Sequence, residues 1–198
     1  MGQEDTRDKA RTARRLGFLV RFARDRRGST AIEFAALAIP FSLLVFAILE
    51  SCLSFAGQEI LTNATDDLAR QLRTGQLKAN AVTVDTLKQK ICYRLEILMA
   101  NGCTTRLKVD LRKYDSYADA AGHTYKIANG DIVLMKGTAV DPKQFVAEPG
   151  TAETINMLRV FYKWPVITDF MKKSMANLKD GDTLHFATNT WFNEPYGS

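Results

Sequence analysis

The chain has 198 residues, of which 46% are hydrophobic and 25% charged. That composition argues against a wholly disordered polymer and suits one modest domain with an appendage. Its net charge is +5, and residues 1–27 alone hold nine Lys/Arg and four Asp/Glu, also +5, so residues 28–198 carry 18 of each sign and sum to zero. A neutral body argues against nucleic acid as a partner.

The basic leader comes first. Acidic residues and a long apolar continuation fit a mitochondrial-type presequence poorly. Positive charge within about 20 residues of a membrane span favours retention in the cytoplasm while the rest of the chain is exported.

The apolar segment follows directly. Phe34–Leu49 is a run of 16 residues without a charge, and tolerable polar residues extend it past Glu50. A spanning helix needs about 20 residues, so Ser29–Ala56 qualifies if Glu33 and Glu50 lie near its two boundaries. A buried core helix would leave the preceding basic residues unexplained. A cleaved secretory signal would be shorter, with a small-x-small site. Pro40 falls inside the run and is expected to bend the helix, which membrane helices tolerate. Glu33 is the anomaly: a carboxylate at the hydrocarbon edge costs on the order of 2–3 kcal/mol. Helix N-terminal capping would offset part of that cost. Glu50 marks the far interface.

Beyond Ala56 the helix continues with Ile60, Leu61, Ala64, Leu68 and Leu72 at three- and four-residue spacing, and Gly75 is its expected stop. A second helix is expected over Thr83–Met99, with Leu87, Ile91, Leu95 and Leu98 on one stripe and Asn101-Gly102 ending it. In "TRLKVDLRKY" Leu107, Val109 and Leu111 point inward and the charges outward, a half-buried strand. Met157–Tyr162 and Leu184–Trp191 are further strands, the latter with His185, Ala187, Asn189 and Trp191 on one face. Thr168–Leu178 is a short helix, and Asp131–Met135 is ambiguous. The expected fold class is α+β: a long N-terminal helix, membrane-spanning then amphipathic, followed by a small antiparallel sheet with helices.

Cys52 lies in the span as a small apolar residue. Cys92 and Cys103 either form a disulfide in an oxidising compartment or remain two separate buried thiols. An unbroken helix would hold them about 16 Å apart, so a bridge requires a turn at Asn101-Gly102. Catalytic signals are lacking. His123 and His185 have no metal spacing, and no nucleophile motif, phosphate loop or Cys-x-x-Cys occurs. No catalytic residue, metal, cofactor or small-molecule substrate is expected, and Tyr162, Trp164, Trp191, Phe192 and Tyr196 are expected to pack in the core and at its edge.

One further pattern joins the leader to the span. Gly28, preceded by Arg26-Arg27 and followed by "STAIEF", resembles the processing site of type IV prepilins. Within that group "RRGSTAIEFA" is similar to the TadE-like pseudopilins of the tight-adherence (Flp) pilus system. "VFYKWPV" at Val160–Val166 and "WFNEPY" at Trp191–Tyr196 resemble the end of those proteins. Phe34 stands where the much shorter major Flp pilin usually has tyrosine, which disfavours a major filament subunit.

The resemblance implies that prepilin peptidase cuts between Gly28 and Ser29, with Glu33 and Phe34 as assembly and processing determinants. It implies a cytoplasmic leader at 1–28, a bacterial inner-membrane helix at 29–56 and a periplasmic domain at 57–198. Partners would be the peptidase, other pilin or pseudopilin subunits, the assembly machinery and membrane lipid. The alternative is a permanently anchored single-pass protein whose exported domain binds a ligand or wall component.

Overall fold

The structure, a computed structural model, describes residues 29–98 and 102–195. The expected cleavage residue Gly28, the Asn101 half of the expected turn and Tyr196 lie outside the described residues. The chain divides into two compact units, with the boundary between Ile48 and Leu49. A single helix, α1 (Ser29–Arg73), supplies the described part of the first unit and the first element of the second. Pro40 sits inside α1 without ending it. Arg70 and Arg73 occupy its last turn, where cations complement the helix dipole. Gly75 then adopts φ +70°, and its N–H donates to the Leu72 carbonyl.

In the second unit a 3-10 turn (Ala79–Ala81) leads to α2 (Val84–Leu95). Thr83 caps α2: its hydroxyl accepts from the Thr86 N–H, and the Thr86 hydroxyl accepts from the Thr83 N–H. The stripe Leu87, Ile91 and Leu95 is buried as expected, but the helix ends at Leu95 rather than near Met99. The chain instead turns over 96–98, and Gly102 at φ +82° starts the short α3 (Cys103–Arg106). This reversal brings the Cα atoms of Cys92 and Cys103 to 5.7 Å, and the two residues form a disulfide.

Next come β1 (Leu107–Tyr114), α4 (Tyr117–Ala121), β2 (His123–Ala128), β3 (Asp131–Lys136), β4 (Ala139–Val140), β5 (Ala147–Glu148), β6 (Ile155–Pro165), α5 (Asp169–Met175) and β7 (Asp182–Phe192). One sheet has the order β5-β1-β6-β7, antiparallel except for the β1–β5 pair; the other is the antiparallel β2-β3-β4. Asp131–Met135, ambiguous from its residues, is thus a strand. Asn129 (φ 53°) and Gly130 (φ +74°) make the tight β2–β3 turn that this dipeptide favours. Residues 168–178 form a helix only over α5, with Thr168 as its N-cap.

Two cores lie on opposite faces of the larger sheet. Leu107, Val109 and Leu111 of β1, Leu158, Val160 and Tyr162 of β6, and Ala187 and Trp191 of β7 share the face packed by α1 and α2. The expectation that the alternating charges of β1 point to solvent is overturned. Asp110 and Arg112 are buried, because a second layer covers their face. Phe161 packs there with Ile132 and Leu134 of β3 and with Leu178. Arg159 places its guanidinium 2.6 Å from Asp110, while Arg112 pairs with Asp110 (2.9 Å) and Asp141 (2.6 Å). Asp110 and Asp141 thereby each have a cation partner, without which their burial would cost several kcal/mol.

Candidate membrane and processing segment

The described part of the first unit is a helix with an apolar surface all round. Ile32, Phe34, Leu37, Ile39 and Phe41, at 100° per residue, point to several sides of α1, and all are exposed. Such a helix satisfies its backbone groups internally, as hydrocarbon requires of a spanning segment. The charge-free run is about 24 Å long, against roughly 30 Å of bilayer hydrocarbon. In a helix spanning such a layer, both flanking carboxylates would fall close to the boundaries. Length and composition make α1 fit a single-pass membrane anchor.

Ser29 is the first described residue of α1 and Glu33 lies four positions on, so about 6 Å of axial rise separates them. Among the described residues of α1, Glu33 is the first carboxylate. Phe34 beside it is exposed.

Glu50, at the other end of the run, is no simple boundary marker. It is only 4% exposed, and its carboxylate accepts hydrogen bonds from the Ile167 and Thr168 N–H groups and the Thr168 hydroxyl. No sequence signal links Glu50 to a segment more than a hundred residues away. The compact unit consequently begins at Leu49, and Glu50, Ser54 and Gly57 are its first buried positions.

Further along α1, Gly57 lies against Trp164 so closely that an added Cβ would come within 2.2 Å of the indole. The indole stacks on His185 at 5.0 Å between ring centroids, and Ser54 Oγ lies 3.0 Å from His185 Nε2. Burial pushes the His185 imidazole down to about 4, so it is neutral near pH 7. Gln58 reaches the exposed edge of β7: its amide donates to the Phe186 carbonyl and accepts from the Phe186 N–H. That side chain stands in for a neighbouring strand.

The remaining candidates have structural partners. His123 Nε2 lies 3.9 Å from Asp141, and its Nδ1 is 3.0 Å from the Asp119 carbonyl oxygen. Burial alone would raise the Asp131 carboxyl, but hydrogen bonds from Lys108, Lys163 and the Ile132 N–H hold it down at about 2. Tyr162, Trp164 and Trp191 are buried, and Phe192 is half exposed. Cys52 is an exposed thiol on α1. Among the described residues, no group of three His, Cys, Asp or Glu could hold a metal ion.

A family model described as TadE-like protein matches residues 28–70, from Gly28 through the apolar run and into the amphipathic half of α1. No curated protein and no solved structure matches the chain. The matched family is pilus-related and is not an enzyme family. Residues 28–70, which carry Ser29, Glu33 and the apolar run of α1, are therefore TadE-like, consistent with a TadE-like protein of the Tad (Flp) pilus system.

Proposed function

We propose that this chain is a minor pilin-like protein, a pseudopilin, of the bacterial inner membrane. Prepilin peptidase hydrolyses the Gly28–Ser29 bond on the cytoplasmic side, and the mature protein serves assembly of an adhesive Flp-type pilus. Residues 1–28 are the cytoplasmic leader, 29–56 the membrane helix and 57–198 a periplasmic domain. One observation carries the reading: Glu33 is the fifth residue after Gly28 and lies in helix α1 directly ahead of a 16-residue charge-free run, inside the TadE-like match.

Cleavage would leave a new α-ammonium on Ser29 near the hydrocarbon edge. The Glu33 carboxylate of a neighbouring pilin or pseudopilin subunit is its counter-charge. Low dielectric strengthens such a pair and makes either charge costly alone, so the pair sets axial register between otherwise apolar helices. The only chemistry is done to the chain, by the peptidase.

Intact mass or N-terminal sequencing of the protein from membranes of its host tests this. A mature chain beginning at Ser29 is expected. An intact leader in peptidase-competent cells would sink the proposal and favour a permanently anchored protein with an exported binding domain.

A further inference from the structure

The folded unit carries an apolar edge at the point where the charge-free run ends. Glu50 follows Leu49 directly, and its bonds to the Ile167 and Thr168 N–H groups fix the 167–170 turn beside that position of α1. The two large apolar side chains of this turn are left in solvent: Ile167 is 67% exposed and Phe170 60%. Leu53 and Phe55, within about 8 Å of Glu50 along the axis of α1, are exposed as well. Lys173 is exposed on α5, and half-exposed Lys172 pairs at 2.8 Å with Asp169.

We infer that the Ile167–Phe170 turn is a second membrane contact, seated in the headgroup and upper acyl region of an anionic bilayer beside the span. Apolar side chains next to lysines are what an interfacial segment presents to such a surface: the rings and branched chains enter the acyl boundary while the ammonium groups stay among phosphates. The Glu50 bonds supply the occupant's identity. They tie this apolar pair to the residue at which the chain leaves hydrocarbon, where lipid is the medium at hand. This rests on the reading that residues 34–49 cross the membrane.

The test uses the full chain in vesicles of phosphatidylethanolamine and phosphatidylglycerol, in a Cys52→Ser background that keeps the Cys92–Cys103 bridge. A bimane probe is attached to a single cysteine introduced by Ser174→Cys, Tyr117→Cys or Leu44→Cys. Ser174 is exposed on α5 and leaves Ile167 and Phe170 native. Tyr117 is exposed beyond the end of β1. Because β1 and β6 are antiparallel, it lies at the end of the sheet opposite Ile167, on the order of 25 Å away.

Lipids brominated near the glycerol should quench the probe at 174 at least about threefold more than at 117, and Phe170→Asp should bring 174 down to the level of 117. Replacing phosphatidylglycerol by phosphatidylcholine should weaken quenching at 174. The probe at 44 should be quenched by bromines deep in the acyl chains. Quenching at 44 with equal signals at 174 and 117 overturns the second contact and leaves the span intact; absence of quenching at 44 overturns both.

Discussion

The carboxylate of Glu50 accepts hydrogen bonds from both the backbone N–H and the hydroxyl of Thr168, the N-cap residue of α5 and 118 positions away in sequence. Thr168 is thereby capped and capping at once: its hydroxyl also accepts from the Met171 N–H. Glu50→Ala would leave the Ile167 and Thr168 donors without their acceptor. A loss of about 2–4 kcal/mol is expected, since hydrogen bonds to charged groups contribute about 1.5–3 kcal/mol each and are not additive. Urea unfolding of the detergent-solubilised full chain measures it, and a loss below about 0.5 kcal/mol would contradict this role.

Gly57→Ala should be destabilising even though alanine favours helices. Its Cβ would sit 2.2 Å from the Trp164 ring, which is 3% exposed and confined by His185 and Tyr162. Overpacking of this kind costs about 1–3 kcal/mol, more than the roughly 1 kcal/mol gained in helix propensity. The near-UV circular dichroism of tryptophan should change as well. An unchanged spectrum with raised stability would show that the indole has room to move.

The bridge between Cys92 and Cys103 closes a short loop, with a sequence separation of 11, around the end of α2. In the chain-entropy view its removal by Cys92→Ala/Cys103→Ala should cost about 3 kcal/mol. Both sites are buried in the main core, so the double variant also loses packing there. Treating the wild-type chain with reductant separates the two contributions. If reduction leaves the unfolding midpoint unmoved, the bridge does not stabilise the fold.

His185 makes stability fall on acidification. Its imidazole drops from 6.5 in the free side chain to about 4 in the fold, so between those values the unfolded state binds more protons. Its contribution is complete above pH 6.5 and is lost as pH falls towards 4, on the order of 3 kcal/mol in all. Below that, the lowered Asp131 carboxyl takes over: its contribution is present above 3.8 and is lost as pH falls towards about 2. Unfolding midpoints collected from pH 7 to 4 should slope downward for the wild-type chain and flatten in His185→Gln. Equal slopes would assign the acid sensitivity elsewhere.

Glu33→Ala should leave membrane insertion intact, because the substitution makes the start of the span more apolar. Pilus assembly should be impaired, since the new Ser29 ammonium would lack its counter-charge. Cell fractionation and surface pilus counts report the two effects separately. Normal pili from Glu33→Ala cells would remove the register argument. Gly28→Ala should be cut slowly and bulkier residues at 28 not at all, which the ratio of leader-bearing to mature mass reads directly.

Apolar periodicity was legible where one helix or strand face decides the matter. The stripes Leu61, Ala64, Leu68 and Leu87, Ile91, Leu95 needed only the 3.6-residue repeat, and Leu107, Val109, Leu111 only the two-residue one. The same alternation places Asp110 and Arg112 on the opposite face, but it says nothing about what lies there. A second sheet from residues 123–140 covers it, and Arg159 comes from the adjacent strand. The signal missed in the sequence was the Asn129-Gly130 dipeptide, which favours a tight hairpin turn and would have resolved the ambiguous Asp131–Met135 as a strand.

By itself, the sequence determined that a basic N-terminal stretch precedes a 16-residue charge-free run, which within Ser29–Ala56 is long enough for a membrane, that Glu33 stands just ahead of that run, and that amphipathic helices and strands follow. These are local properties, set by residue type and by the geometry of one backbone element. Tertiary structure alone decided that Glu50 is buried against Thr168, that His185 lies neutral between Ser54 and Trp164, and that Asp110 and Arg112 form part of an internal ion cluster. The physical reason is common to all three. Burying a polar group is costly unless a partner from elsewhere in the chain meets most of its hydrogen-bonding or charge requirement, and no local repeat encodes which distant residue that will be.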